Sequence, residues 1–179
     1  MNIGIISDSH DNLPKIIDAV RVFNKEQCCL VLHLGDYISP FSIPPLDKLV
    51  CPWVGIYGNN DGEKKGLLAV SGNKIKKDPL IIDVNKNTGL LDATFHLSLL
   101  KNHKKKKGSI RLVAAHEIHD YKASGQIDIV LFGHTHKPEI RQKDKKLFVN
   151  PGECGGWLFQ SNTVAMIDIN RLEARIIRL

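Results

Sequence analysis

The chain has 179 residues, 42% hydrophobic and 25% charged, which is enough to enclose one substantial core and short for two independent domains. No apolar run approaches the roughly 20 residues that a membrane-spanning helix needs. The formal charge of +6 is local: without the five lysines between Lys101 and Lys107 it falls to +1, so it does not mark a nucleic-acid surface.

Asn2-Ile3-Gly4-Ile5-Ile6 reads as a buried strand, and Ser7-Asp8-Ser9-His10 follows it at once. Residues two apart in extended chain point to the same side, so Asp8 and His10 can share one ion. Asn12 can cap a helix with Pro14 in its opening turn, and Leu13, Ile16, Ile17, Val20 and Phe23 keep helical spacing. The apolar run 30–34 is a second strand ending in Gly35-Asp36, and residues 39–50 are predicted to hold a shorter helix after Pro40. Residues 54–57 form a third strand running into Gly58-Asn59-Asn60-Asp61, whereas 67–70 lie in a poorly defined stretch.

Beyond residue 73 the pattern is harder to read. Residues 80–84 look like a strand, 90–100 are ambiguous, and the lysine run is read as a solvated loop. Residues 110–115 form a strand into His116, and 127–132 form another into Gly133-His134-Thr135-His136. The crossover between them barely meets the roughly 10–12 residues of a βαβ connection, so any helix in it is very short. After Asn150-Pro151-Gly152, residues 163–169 and 173–177 read as paired strands that complete a second sheet.

Seven potential ligands thus fall in five clusters: Asp8 and His10, Asp36, Asn59, His116, then His134 and His136. Each follows a strand, and open α/β sheets bind ligands outside the carboxyl ends of their strands, so the five should converge. Displacement at phosphorus needs an activated oxygen and a positive clamp for phosphoryl charge, which two divalent ions about 3.5–4 Å apart provide. Such ions call for a bridging carboxylate and a mixed shell of imidazole and hard oxygen. Aspartate, histidine and asparagine supply that mixture.

The set Asp8-x-His10, Gly35-Asp36, Gly58-Asn59-Asn60-Asp61, His116 and Gly133-His134-Thr135-His136 resembles the calcineurin-like metallophosphoesterase superfamily, in its small prokaryotic phosphodiesterase branch. The retromer metallophosphoesterase-like subunit is related in fold. Length and composition make residues 1–179 a single domain, while the resemblance covers nearly the whole chain and implies a four-layer α/β/β/α sandwich with a dinuclear site at the strand ends. It also implies that Asp8, His10 and His136 hold one metal, that Asn59, His116 and His134 hold the other, and that Asp36 bridges. Manganese stands first among the expected ions, with nickel, iron and zinc as alternatives.

Three departures qualify the resemblance. Asn60 stands where most relatives carry a histidine; an amide can donate a hydrogen bond but cannot protonate a leaving oxygen, a contribution of about 10²–10⁴-fold. Glu117 replaces a common glycine and is expected to narrow the site mouth or to accept a hydrogen bond from an imidazole. The third is the short crossover.

Plainer readings compete at several positions. Asn60-Asp61-Gly62 could be a turn only, and Asp61 is left outside the ligand set as a group that orients Asn59, binds a backbone amide or shapes the turn. His33 is read as packed with its ring on a backbone acceptor, His119 as exposed, and His96 and His103 as lacking partners at ligand spacing. Thr135 could donate to phosphate or serve the turn, and Asn150-Pro151-Gly152 is read as support for the histidine pair. Cys28, Cys29, Cys51 and Cys154 show no C-x-x-C spacing, which suggests reduced thiols in a cytoplasm.

The reading that follows is a phosphodiesterase of broad specificity, acting through a two-metal-activated hydroxide. Asn60, His116 and His134 contribute to catalysis, and a small-molecule phosphodiester is the substrate. A nuclease or phosphomonoesterase on the same site, or a non-catalytic protein-binding scaffold, are the alternatives. No membrane partner is expected, nucleic acid is not favoured, and a homodimer or homotetramer is consistent with the family.

Overall fold

The computed structural model describes residues 1–85, 91–94, 105, 107–118 and 127–179. Its frame is two six-stranded sheets packed face to face. The first runs β12 (Glu173–Arg178), β11 (Thr163–Asp168), β1 (Asn2–Ile6), β2 (Leu30–His33), β3 (Trp53–Ile56) and β4 (Ile75–Lys76). Strands β1 to β4 are parallel neighbours, and β11 returns antiparallel to β1, so the paired strands β11 and β12 extend the first sheet and do not complete the second as the sequence suggested. The second sheet runs β6 (Leu91–Thr94), β5 (Leu80–Asn85), β7 (Ser109–Ala114), β8 (Ile129–Leu131), β10 (Lys146–Pro151) and β9 (Pro138–Lys143), with β7, β8 and β10 parallel.

Alternation along the strands builds the layers. Ile3, Ile5, Leu30 and Leu32 of the first sheet meet Ile82, Leu112, Leu131 and Val149 of the second in one buried core. Ile6 and Val31 point the other way, onto Ile16, Ala19, Val20 and Phe23 of helix α1 (Leu13–Lys25). Because both faces are covered, these strands read as unbroken apolar runs. Gly4 has a packing reason: a Cβ there would overlap the Phe23 ring lying across β1. Asn12 caps α1, its side chain accepting the Lys15 N–H at 3.4 Å.

The outer face of the second sheet carries Ile81, Val113, Ile127 and Val130, beside a buried ion pair not anticipated from the sequence. Asp83 and Arg111 face each other across β5 and β7, with Nε to Oδ1 at 2.7 Å and Nη2 to Oδ2 at 2.6 Å. The helical layer expected over this face would fall in the crossover, of which 119–126 lie outside the described residues, as do His96, His103 and His119.

Several expectations are corrected. Residues 39–50 form two 3-10 turns, Pro40–Ser42 and Pro44–Lys48, in place of an α-helix, because Pro40, Pro44 and Pro45 lack the N–H groups a helical ladder needs. The poorly defined stretch is the end of helix α2 (Lys64–Val70). Strands β4, β9 and β10 were not foreseen; β9 and β10 join through Asp144 and Lys145, both at positive φ without the glycine that usually signals such a turn. In the lysine run, Lys105 is ion-paired with Asp128 at 2.5 Å, so that member is not free in solvent.

Candidate metal centre

All five clusters lie at the carboxyl ends of their strands, and hydrogen bonds between the loops hold them together. Asp8 N–H donates to Gly35 O (3.0 Å) and His10 N–H to Asp36 O (3.1 Å), which joins the loops after β1 and β2. Gly133 N–H donates to His116 O, and Gly155 N–H to Asp8 O, bringing in the loops of the second sheet. Asp8, His10, Asp36, His134 and His136 all have φ between 41° and 64°. Left-handed backbone is uncommon for such residues, and its concentration here is what aims side chains of a sheet edge toward one point.

Asp8, His10, Asp36 and His136 each present a donor atom within 4.8 Å of the others. Beside them, Asn59 Oδ1 lies 2.8 Å from His116 Nε2 and 2.9 Å from His134 Nδ1. Asp36 stands between the groups: its Oδ2 is 3.6 Å from His10 Nε2 and 3.5 Å from His116 Nε2. All seven sequence-predicted ligands are therefore gathered at one rim.

The donor set suits cations. Asp8 Oδ1 and His10 Nε2 are buried and have no hydrogen-bond partner among the described residues. An orphaned buried carboxylate oxygen is costly unless a positive group meets it. Burial accordingly pushes the Asp8 carboxyl above its usual range, outweighing Ser7 and the histidines. For Asp36 burial acts the same way, but His116 and Asn60 outweigh it and hold the carboxyl well below the usual range. Burial disfavours the His116 cation, yet hydrogen bonding and charge from Asp36 prevail and raise its pKa to about 9.

The surrounding residues fix the candidate ligands. His116 Nδ1–H donates to Leu34 O at 2.7 Å, which leaves Nε2 facing Asp36 and Asn59. His136 Nδ1 bonds Glu153 Oε2 at 2.9 Å, and its Nε2 faces Asp8 Oδ1 at 3.5 Å. Glu153, fully buried, also accepts the backbone N–H groups of Leu158 and Phe159. It is the imidazole acceptor that the sequence reading sought at Glu117, which is exposed and lines a cavity instead. A lone carboxylate in the small, apolar stretch after Asn150-Pro151-Gly152 was the signal that could have found it.

Asp61 proves to be a backbone clamp. Its carboxylate accepts N–H bonds from Asp36, Tyr37, Ile38 and Gly58. Gly58 lies so close to Asp36 that a Cβ would overlap its Oδ1. Asn60 donates its backbone N–H to Asp36 Oδ1 (2.9 Å) and its side-chain amide to Oδ2 (2.7 Å). His33 is buried as expected, but its ring accepts from the Gly35 N–H instead of donating to a backbone oxygen, with Ser9 Oγ 3.1 Å from Nε2. Asn150 Nδ2 donates to Gly133 O and Thr135 Oγ1, supporting the histidine turn.

Two facing sheets with carboxylates and imidazoles gathered at their strand ends define a metallohydrolase architecture of the α/β class. The chain belongs to the calcineurin-like phosphoesterase superfamily, whose domain model matches residues 1–172. It is 33% identical to a phosphodiesterase of Methanocaldococcus jannaschii, an alignment covering 100% of this chain and 99% of the relative. A solved structure of an archaeal phosphodiesterase superposes with a TM-score of 0.78 at 32% identity, covering 100% of both chains. The fold alone is shared with Vps29 of Entamoeba histolytica in complex with zinc, at a TM-score of 0.63 and 16% identity over 100% of this chain and 98% of that one. The family implies divalent metal ions. No helix among the described residues is long and apolar enough to cross a membrane.

Proposed function

We propose that this protein is a metal-dependent phosphodiesterase of broad specificity, with residues 1–179 acting as one catalytic domain. The observation that carries the reading is the position of Asp36, whose Oδ2 faces His10 on one side and His116 on the other. Asp8, His10 and His136 would hold one ion, Asn59, His116 and His134 the second, with Asp36 shared. Two divalent ions, when bound, supply an activated oxygen nucleophile and neutralise charge on the phosphoryl oxygens. The mixture of imidazole with hard oxygen suits manganese first, then iron, nickel or zinc.

The chain's own residues orient and select. Leu34 O and Glu153 fix the ring positions of His116 and His136 through their Nδ1 atoms. His116 must release its Nε2 proton to become a ligand. Exposed His134, its Nδ1 2.9 Å from Asn59 Oδ1, would join His116 as a neutral imidazole ligand to the second ion, which places that ion where it can meet a phosphoryl oxygen. Asn60 holds Asp36 in place, and the second N–H of its amide is available to a phosphoryl oxygen. An amide cannot protonate the departing oxygen, so stable leaving groups are favoured. Asn59 and Asn60 are exposed at the rim, which suits substrates of varied shape. Four free cysteines accord with a cytoplasmic setting.

The test is hydrolysis of a bis-aryl phosphodiester after chelation, with and without added manganese, beside the aryl monoester. Metal-restored turnover that prefers the diester and is lost in Asp36→Ala is expected. Folded protein that stays inactive with manganese overturns the reading, and a preference for the monoester reassigns it to a phosphomonoesterase.

A further inference from the structure

A cavity of about 720 Å³ opens directly from the second ligand group, with Asn59 and His116 in its wall. Its far side is built by the start of the loop after β3, by α2 and by β4, and has a composition unrelated to metal binding. Lys64, Lys65, Lys76 and Lys77 line it, beside an apolar surface of Tyr57, Leu68 and Ile75. Two acids share the lining. Asp78 accepts the His116 backbone N–H at 3.4 Å, and Glu117 is exposed. Lys64, Lys65 and Lys77 alone outnumber the two carboxylates, which leaves the cavity electropositive. Lys64 Nζ lies 5.6 Å from the centroid of the Tyr57 ring, whose hydroxyl donates to Lys64 O at 3.1 Å, so a cation and an aromatic surface are held together.

Hydrolysis of the diester alone requires neither feature. The scissile phosphate carries one negative charge, which the divalent ions held by the ligand groups would already meet. The volume falls within the roughly 300–1,000 Å³ of a site enclosing a small molecule, far more than one phosphate fills. Lysine acts as a point charge toward phosphate, and the apolar wall suits a planar ring. We propose that this cavity receives the second arm of the substrate and selects nucleotidyl phosphodiesters bearing a further phosphate beyond the one attacked. The ring of that arm lies against Tyr57, Leu68 and Ile75, and its extra phosphate lies among the lysines. In the reaction, water adds its oxygen to phosphorus, the P–O bond to the adjoining sugar breaks, and the departing oxygen takes up a proton from solvent. The products are one nucleoside monophosphate and a shorter nucleotide.

This inference rests on the phosphodiesterase reading, and the experiment separates the two. Manganese-loaded enzyme is given a bis-aryl phosphodiester, the dinucleotide ApA and its 5′-phosphorylated form pApA. The ratio of kcat/KM for pApA to that for ApA should be about tenfold, given that exposed ion pairs are individually weak and several act together. It should fall toward one in Lys64→Gln/Lys65→Gln/Lys77→Gln and recover in the corresponding arginine triple. Calorimetry on metal-free protein gives a readout independent of turnover: adenosine 3′,5′-bisphosphate should bind about tenfold tighter than 5′-AMP, a preference lost in the glutamine triple and weakened by salt. A phosphorylated diester lacking a base distinguishes the phosphate from the ring; equal preference for it would overturn the nucleotidyl part. Turnover of the aryl diester with equal rates on ApA and pApA overturns the inference and leaves the phosphodiesterase reading standing. Absence of turnover on every diester removes both.

Discussion

Replacing Asp61 by alanine tests how the floor of the site is built. Its carboxylate, 2% exposed, accepts four backbone N–H bonds at 2.7 to 3.0 Å, from Asp36, Tyr37, Ile38 and Gly58. A hydrogen bond to a charged group contributes roughly 1.5–3 kcal/mol, yet four bonds to one carboxylate are not additive. The Ile38 bond is only partly buried, so water can replace that one, while three donors stay stranded. The expected loss is about 3–5 kcal/mol, at the upper end of single substitutions. At about 2–4 °C per kcal/mol for a chain of this size, the melting temperature should fall by about 6–20 °C. Asp61→Asn keeps one oxygen able to accept two of the bonds and should lie between wild type and alanine. Urea denaturation of chelated protein gives the stability, and manganese titration reports whether Asp36, whose backbone is released, still binds. A loss under about 1 kcal/mol with unchanged metal affinity would refute the clamp, because the orphaned amides would then have cost nothing.

Glu153→Gln should weaken metal affinity by about 10–100-fold, because His136 Nδ1 exchanges a carboxylate for a neutral amide; competition with a chelator measures this, and a change under threefold counts against it. His33 gives a pH test. Burial lowers its pKa to about 3, so as the pH falls below about 6.5 the unfolded chain binds a proton that the folded chain refuses. Stability from this residue is therefore complete above pH 6.5 and is lost as the pH falls toward about 3. Between pH 7 and 5 the loss is about 2 kcal/mol. His33→Asn should flatten that slope in chelated protein, and identical urea midpoints against pH in both proteins would show that the ring does not titrate as argued.

The candidate ligands were legible in the sequence because each follows a strand, and a strand ending in Gly-Asp, Gly-Asn or Gly-His delivers its side chain to the same sheet edge. Unbroken apolar runs of strand length likewise announced β1, β2, β3, β5 and β7, and helix α1 declared itself through a cap, a proline and a spaced apolar face. Short or polar elements did not. β4 has two residues, and β9 is mostly exposed, so neither carries a run of apolar residues long enough to set a period.

By itself the sequence determined the class of chemistry, since only certain side chains bind cations and their order along the chain follows the order of the strands. Tertiary structure alone decided the supporting contacts. Glu153 reaches His136 from 17 residues away, Asp61 clamps residues 36–38 from another loop, and lysines of α2 and β4 meet His116 of the second sheet across one cavity. None of these pairings repeats at a local period. Each depends on where two separate strands end in space, which packing between the sheets sets and spacing along the chain does not record.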